Sequence, residues 1–324
     1  MAPVVVITPN PAVDVTYRVA EQRIGETQRV LEVIRRPGGK GINVVRVLEA
    51  LGAPAISVAP LGGSAGRWVG EELDALGITH RAVPIGGPTR TTVTVVDDRA
   101  HPTMFGEPGP VLTAAEWTRF DGELADVLPG ADGLVVAGSL PAGADPALVG
   151  RWVDLARSHG VPTVVDVSGA ALLAAADAGA DVVKPNRDEL LEATGAPTEA
   201  AGAADLLRRG AGTVVVSRGA EGIVAYRDGD PIVRVAAVPG VHGNPTGAGD
   251  AATAGLVSAL RAAPRPEGAP LDRVSLDVAL RQAAAAGAAA VLRPVAGEID
   301  LAAFHRFRDD LSHATPSTPF GDAP

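Results

Sequence analysis

Apolar and polar positions along this chain follow two periods. Residues 4–8 (VVVIT) form a short β-branched run that reads as a buried strand. Over residues 42–51, Val44, Val47, Leu48 and Leu51 recur at helical spacing, and Gly52 stops the pattern. Strand-like and helix-like stretches then alternate. Strands are expected at 55–60, 91–96, 133–137, 163–167, 182–184 and 213–217, and helices at about 68–76, 114–128, 146–158, 187–194 and 199–209. This alternation predicts an α/β protein with right-handed βαβ units and a mostly parallel sheet covered by helices.

Two stretches do not fit. Residues 11–36 and 88–107 are rich in Thr, Val, Arg and Pro and lack a helical period. They hold strand-like runs at 15–19 and 28–35 and are expected to form a small β-sheet projecting from a main domain of residues 1–312. A sheet with one bare face must cover it with a ligand or with another subunit, so a homodimer through this sheet is one expectation. Residues 313–324 (HATPSTPFGDAP) read as a disordered tail.

The length of 324 residues suits one large α/β domain with an appendage, and 46% apolar residues suffice for its core. No uninterrupted apolar run approaches about 18 residues, so no membrane helix is expected. The start has no basic region and meets Pro9 and Pro11 too soon for a signal peptide. Without cysteine there is no disulfide or thiolate chemistry, and any metal must sit on oxygen or nitrogen ligands. A cytoplasmic setting is the expectation. A net charge of −10 argues against nucleic acid or anionic membrane as partners. Of the 28 basic residues only Lys40 and Lys184 are lysine. Either they are compositional leftovers in an arginine-using chain, or they mark places that need a compact ammonium.

Four segments carry candidate chemistry. Residues 244–250 (NPTGAGD) are a glycine-rich turn feeding an Ala-rich helix. The unpaired amides of such a turn make an anion cradle, which phosphoryl transfer needs. Asp250 falls in the first turn, where the helix dipole favours its ionised form and lets it accept a proton at neutral pH. An ordinary helix start reads the same way. In residues 37–43 (PGGKGIN), either Gly38 and Gly39 let a ligand approach the backbone while Lys40 and Asn43 offer it donors, or the segment is a mobile loop and a helix cap. In residues 184–189 (KPNRDE), Asn186 and Glu189 form either a capping box or a pair facing phosphates and Mg²⁺. Residues 217–222 (SRGAEG) are a strand end and glycine turn suited to the edge of a nucleotide pocket. There is no GxxxxGK[ST] loop and no GxGxxG after a strand, against P-loop NTPases and Rossmann dehydrogenases.

With NPAVD at 10–14 and GSLPAG at 138–143, these segments in this order resemble the ribokinase-like, PfkB-type sugar kinase family over about residues 3–310. The chain looks most similar to the branch holding 1-phosphofructokinase, tagatose-6-phosphate kinase and the minor 6-phosphofructokinase. The resemblance implies a three-layer α/β/α domain with a β lid, and ATP and Mg²⁺ as cofactors. It implies Asp250 as catalytic base and residues 247–249 as anion hole. Asp14, Gly38, Gly39, Lys40 and Asn43 would bind sugar hydroxyls. Arg90 and Ser139, with Arg29, would hold the phosphate already on the substrate. Lys184, Asn186, Ser217, Gly219 and Gly222 would border ATP, with Glu189 and Asn186 on Mg²⁺. One departure is Ala252, where the family often has a bulkier residue. A kinase of a free sugar or nucleoside, and an inactive sugar-phosphate-binding protein, are the alternatives. Asp250 and the intact turn favour turnover, and Asp14 and Ser139 disfavour a non-sugar substrate.

Overall fold

The computed structural model describes residues 2–97, 102–227, 230–261 and 272–313. Its first elements are β1 (Val4–Ile7), β2 (Ala12–Arg18), β3 (Glu32–Gly38), α1 (Lys40–Ala50), β4 (Ala55–Gly62), α2 (Gly63–Ala75), β5 (His80–Ile85), β6 (Arg90–Val96) and β7 (Thr103–Gly106). Then come α3 (Ala114–Val127), β8 (Gly133–Ala137), α4 (Ala147–Ser158), β9 (Thr163–Asp166), α5 (Ala170–Asp177), β10 (Val182–Val183), α6 (Arg187–Thr194) and α7 (Glu199–Arg209). The last are β11 (Val214–Ser217), a 3₁₀ turn (Gly219–Glu221), β12 (Ile223–Arg227), β13 (Asp230–Val235), α8 (Ala248–Leu260), α9 (Arg273–Val291) and α10 (Leu301–His313).

The large sheet has the order β13-β12-β11-β10-β9-β8-β1-β4-β5. Neighbours from β11 to β5 pair in parallel, and β12 is antiparallel to both of its neighbours. Alternate residues of β1 face opposite sides, as the pleat requires. Val4 and Val6 join Leu48, Leu73, Leu256, Leu280 and Phe304 from α1, α2, α8, α9 and α10. Val5 and Ile7 join Phe120, Trp152, Leu172, Leu190 and Leu206 from α3 to α7. The sheet therefore lies between two helical layers, the three-layer arrangement expected. β1 sits between β4 and β8, and the chain leaves it toward β4 and β5 before returning to β8. That reversal is where open α/β sheets hold ligands, beyond the strands' carboxyl ends.

The stretches 11–36 and 88–107 build the second sheet, β3-β2-β6-β7. β3 starts later than expected, at Glu32, because pairing with β2 in the register Ala12↔Gly38 carries it through Pro37 and Gly38. α2 begins five residues before the expected 68, over a Gly-Ser-Ala-Gly segment with no apolar period to reveal it. β5 escaped the sequence pattern because it contains Pro84, tolerated at the edge of the sheet. α5 is nearly all apolar and so shows no helical period. Of the expected tail, His313 closes α10, and 314–324 lie outside the described residues. Among the described helices α9 is long and apolar enough to cross a membrane by length and composition. In this fold its Leu276, Leu280, Ala283 and Ala286 are fully buried within the core that α8 and α10 share.

Candidate active site

β9 and β10 end, and α1 and α8 begin, around one carboxylate. Asp166 closes β9 and is 2% exposed. Both lysines of the chain reach it. Lys184 Nζ lies 3.0 Å from Oδ2, and Lys40 Nζ lies 3.3 Å from Oδ1. Thr253 Oγ1 donates to Oδ2 at 2.6 Å. Burial pushes Asp166 up, but Lys184 and Lys40 outweigh it and hold the carboxyl at about 2. Asp166, followed by Glu189 and Asp250, in turn holds the Lys40 ammonium well above the usual lysine range despite burial.

Asp250 is the third residue of α8 and is also buried. Asn43 Nδ2 donates to its Oδ2 at 2.9 Å. Burial, then the charge on Asp166, pushes Asp250 up to about 7, with Lys40, Asn43 and Lys184 pulling the other way. The helix dipole therefore does not keep it fully ionised at neutral pH, as the sequence suggested, because loss of hydration outweighs the dipole.

The turn before Asp250 is shaped by its glycines. Gly247 has φ 83°, and a Cβ there would lie 2.7 Å from Ala296 Cβ. Ala248 N–H donates to the Pro245 carbonyl and Ala251 N–H to that of Gly247. The amides of Gly249 and Asp250 meet no acceptor among the described residues. A Cβ on Gly249 would meet nothing within 4 Å, so open space lies beside these donors. Ala252 packs toward α9, where a Cβ on Gly287 would lie 3.6 Å from its own. The small residue thus belongs to a close α8–α9 contact.

A second group stands at the root of the small sheet, just before Lys40. A Cβ on Gly38 would collide with the Asp14 carboxylate. Gly39, at φ 97°, offers that carboxylate its amide. Burial raises the Asp14 carboxyl, and Arg90 opposes most strongly. Arg90 donates from Nε and Nη2 to the Asn10 carbonyl, both at 3.2 Å, and from Nη1 to the Glu107 carbonyl at 3.0 Å.

A third group lies at the start of α6. Asn186 and Glu189 form the capping box, with Oδ1 accepting from Glu189 N–H at 2.8 Å and Glu189 Oε2 accepting from Asn186 N–H at 2.9 Å. The other carboxylate oxygen of Glu189 lies 3.4 Å from Lys40 Nζ. A lone parallel bridge joins Asn186 to Ser217, placing the end of β11 beside it. Gly219 and Gly222 follow with φ of 54° and 98°, and a Cβ on Gly222 would run into the Val235 carbonyl.

The fold thus gathers Asp250, Asn43, Lys40, Glu189 and Lys184, with Asp14, Gly38, Gly39 and Arg90 on one flank and Asn186 and Ser217 on the other. Arg29 is exposed in the β2–β3 connection, and Ser139 is exposed after Gly138. Neither side chain makes a hydrogen bond to another described residue. The sequence reading missed Asp166, Thr253 and Arg46. A carboxylate at the end of the apolar run Thr163–Asp166, where ligands gather, was the available signal for the first. Arg46, on α1, donates to the Ala296 carbonyl at 3.0 Å and to Glu298 at 3.2 Å, holding the loop that presses on Gly247.

A family model described as pfkB family carbohydrate kinase matches residues 3–301. Phosphofructokinase-2 from Escherichia coli, solved in complex with fructose-6-phosphate, is 26% identical, with a TM-score of 0.85 over 97% of this chain and 100% of that one. The same enzyme has been solved as a tetrameric inhibited form. A protein from Thermotoga maritima described as a possible 1-phosphofructokinase is 25% identical, with a TM-score of 0.79 over 94% and 97% of the two chains. Ribokinase from Arabidopsis thaliana, complexed with ribose and ATP, shares the fold at 21% identity and a TM-score of 0.71, over 95% and 98%.

Proposed function

The chain belongs to the pfkB family of carbohydrate kinases, phosphotransferases with an alcohol acceptor, and we propose that it moves the terminal phosphoryl group of ATP to a hydroxyl of a ketohexose monophosphate. The observation that carries this reading is Asp250, buried, held near pH 7 and standing beside unpaired amides. A base works best when its pKa lies near the working pH. Asp250 takes the hydroxyl proton, and the unpaired amides at the end of the 247–249 turn, those of Gly249 and Asp250, receive the charge on the moving phosphoryl group, while Ala248 N–H is taken by the Pro245 carbonyl. Asp14, the Gly38–Gly39 backbone, Lys40 and Asn43 orient the sugar. Arg90, Ser139 and Arg29 face its existing phosphate.

Lys184, Asn186, Ser217, Gly219 and Gly222 border ATP. Mg²⁺ neutralises its phosphates when bound, and Glu189 with Asn186 would hold the ion. The donor set fits. Among the described residues no three carboxylate or imidazole groups gather as a metal cage, and Mg²⁺ commonly takes one or two carboxylates, completing its shell with water and phosphate oxygens.

One observation favours a second reading, a kinase of an unphosphorylated sugar. Three of the Arg90 donors already serve carbonyl oxygens of this chain. ADP release measured with fructose 1-phosphate, fructose 6-phosphate, tagatose 6-phosphate, fructose and ribose separates the two. Turnover on a ketohexose phosphate is the expected result, and efficient turnover on free sugars alone overturns it.

The reading also includes a homodimer through the small sheet. Val33 on β3 and Phe105 on β7 lie on one face of this sheet by register and are 50% and 62% exposed, apolar surface that a second copy would cover. Sedimentation at micromolar concentration should show a dimer, and a fully active monomer refutes this part.

A further inference from the structure

Glu199 has no part in the reading above. It is the first residue of α7, and its side chain is 10% exposed. Three side chains converge on its carboxylate. Arg218 donates from Nη2 to Oε1 at 2.5 Å and from Nε to Oε2 at 2.8 Å. Arg187 Nε donates to Oε2 at 3.1 Å, and the Tyr226 hydroxyl donates to Oε1 at 2.7 Å. Arg187 extends the network, donating from Nη1 and Nη2 to the two oxygens of Glu221 at 2.9 and 2.5 Å.

The origins of these side chains matter most. Arg187 follows Asn186 at the start of α6. Arg218 follows Ser217 at the end of β11. Glu221 stands between Gly219 and Gly222, in a 3₁₀ turn without a single buried residue. Core packing therefore does not fix that turn. Its tie to α6 is the Arg187–Glu221 pair, and its tie to α7 is the Arg218–Glu199 pair. Tyr226 is 2% exposed and anchors the carboxylate to β12. One largely buried carboxylate thus adds a side-chain link to the Asn186–Ser217 bridge between the two segments that the kinase reading sets against ATP. Without its charge, Arg218 would lose its carboxylate partner and Arg187 would keep only Glu221, leaving the repulsion between the two guanidinium groups less compensated.

We propose that Glu199 is a positioning residue for the nucleotide, holding the 219–221 turn against the start of α6 so that the ATP edge of the site is formed before ATP arrives. This rests on the kinase reading. Preorganisation of this kind acts on nucleotide affinity and leaves the sugar side untouched.

The test combines steady-state kinetics with calorimetric titration of MgADP into the intact protein. Glu199→Gln keeps the shape and removes the charge. It should raise KM for ATP and Kd for ADP about tenfold, in line with the loss of charge-assisted hydrogen bonds, with KM for the sugar phosphate within about twofold. Tyr226→Phe removes one of the bonds and keeps the ring. It should move the same two constants about two- to threefold, and it carries the test should Glu199→Gln not fold. Unchanged ADP binding in the folded variants, or equal loss toward both substrates, overturns the proposal while the kinase reading stands. A wild type that binds no ADP and turns over no sugar overturns the kinase reading, and this proposal with it.

Discussion

Asp250 and Asp166 are buried carboxylates in one site with opposite shifts. Asp166 has two ammonium groups and sits at about 2; Asp250 is raised by burial and by Asp166 and sits at about 7. The activity consequence is direct. As the proposed base, Asp250 would work only when unprotonated, so kcat/KM should rise with pH through about 7 and level off above it. Asp250→Asn should remove that limb and cost about 10²–10⁴-fold in kcat with the fold intact. Retention of more than about a tenth of wild-type kcat excludes Asp250 as base. Stability follows the same shifts with opposite signs. The stabilisation from Asp166 is present above the ordinary value of 3.8 and is lost as pH falls toward about 2. Asp250 binds a proton in the folded state that the unfolded chain releases, so its contribution weakens as pH rises from 3.8 to about 7. Asp166→Asn would leave Lys184, itself 2% exposed, without its counter-charge. Such a loss costs about 3–5 kcal/mol in unfolding free energy, readable by denaturant titration, and a cost under about 1 kcal/mol would show that the Asp166–Lys184 pair is not a structural unit.

At the scale of elements, the start of α6 shows one residue serving two ends. One oxygen of Glu189 closes the capping box on Asn186, and the other lies beside Lys40. Glu189→Gln preserves the cap, since Gln fills the same position in such boxes, but removes the charge. The Mg²⁺ concentration for half-maximal activity should therefore rise at least about threefold, with KM for the sugar changed less. A fall in thermal stability alone would leave Glu189 as a cap and nothing more. The start of α8 depends on its surroundings in a similar way. Gly247 adopts its left-handed conformation against Ala296, on a loop that Arg46 of α1 holds in place. The glycine turn before Asp250 is thus positioned by a helix distant in sequence.

Across the whole molecule, Arg90 joins the two sheets. It opens β6 of the small sheet and bonds twice to Asn10, which follows β1 of the large one. Its charge also reaches Asp14. Arg90→Ala should raise KM for a ketohexose phosphate at least about tenfold, about 1.4 kcal/mol, with KM for ATP changed little. Equal loss toward both substrates in a two-substrate kinetic matrix would instead make Arg90 a tie between the sheets.

Local order was legible along the chain because it is written locally. β8, α6 and α7 fall where hydrophobic period, capping residues and glycines placed them. The turn at 247–249, the glycines before Lys40 and the Asn186–Glu189 pair also announce themselves by type and spacing. The presence of only two lysines was visible too, but not their common partner. Asp166 is 126 residues from Lys40 and 87 from Thr253, and nothing in its neighbourhood distinguishes it from a strand-ending carboxylate. The same holds for Glu199, which reads as the first residue of an ordinary helix until Arg218 and Tyr226 close on it. The sequence by itself determined many of the elements, the family and the segments that meet at the candidate site, because each depends on residues a few positions apart. The tertiary structure alone decided which charges share a buried space, and with it the proton affinity of Asp250, because burial and Coulomb interaction depend on distance in the folded chain.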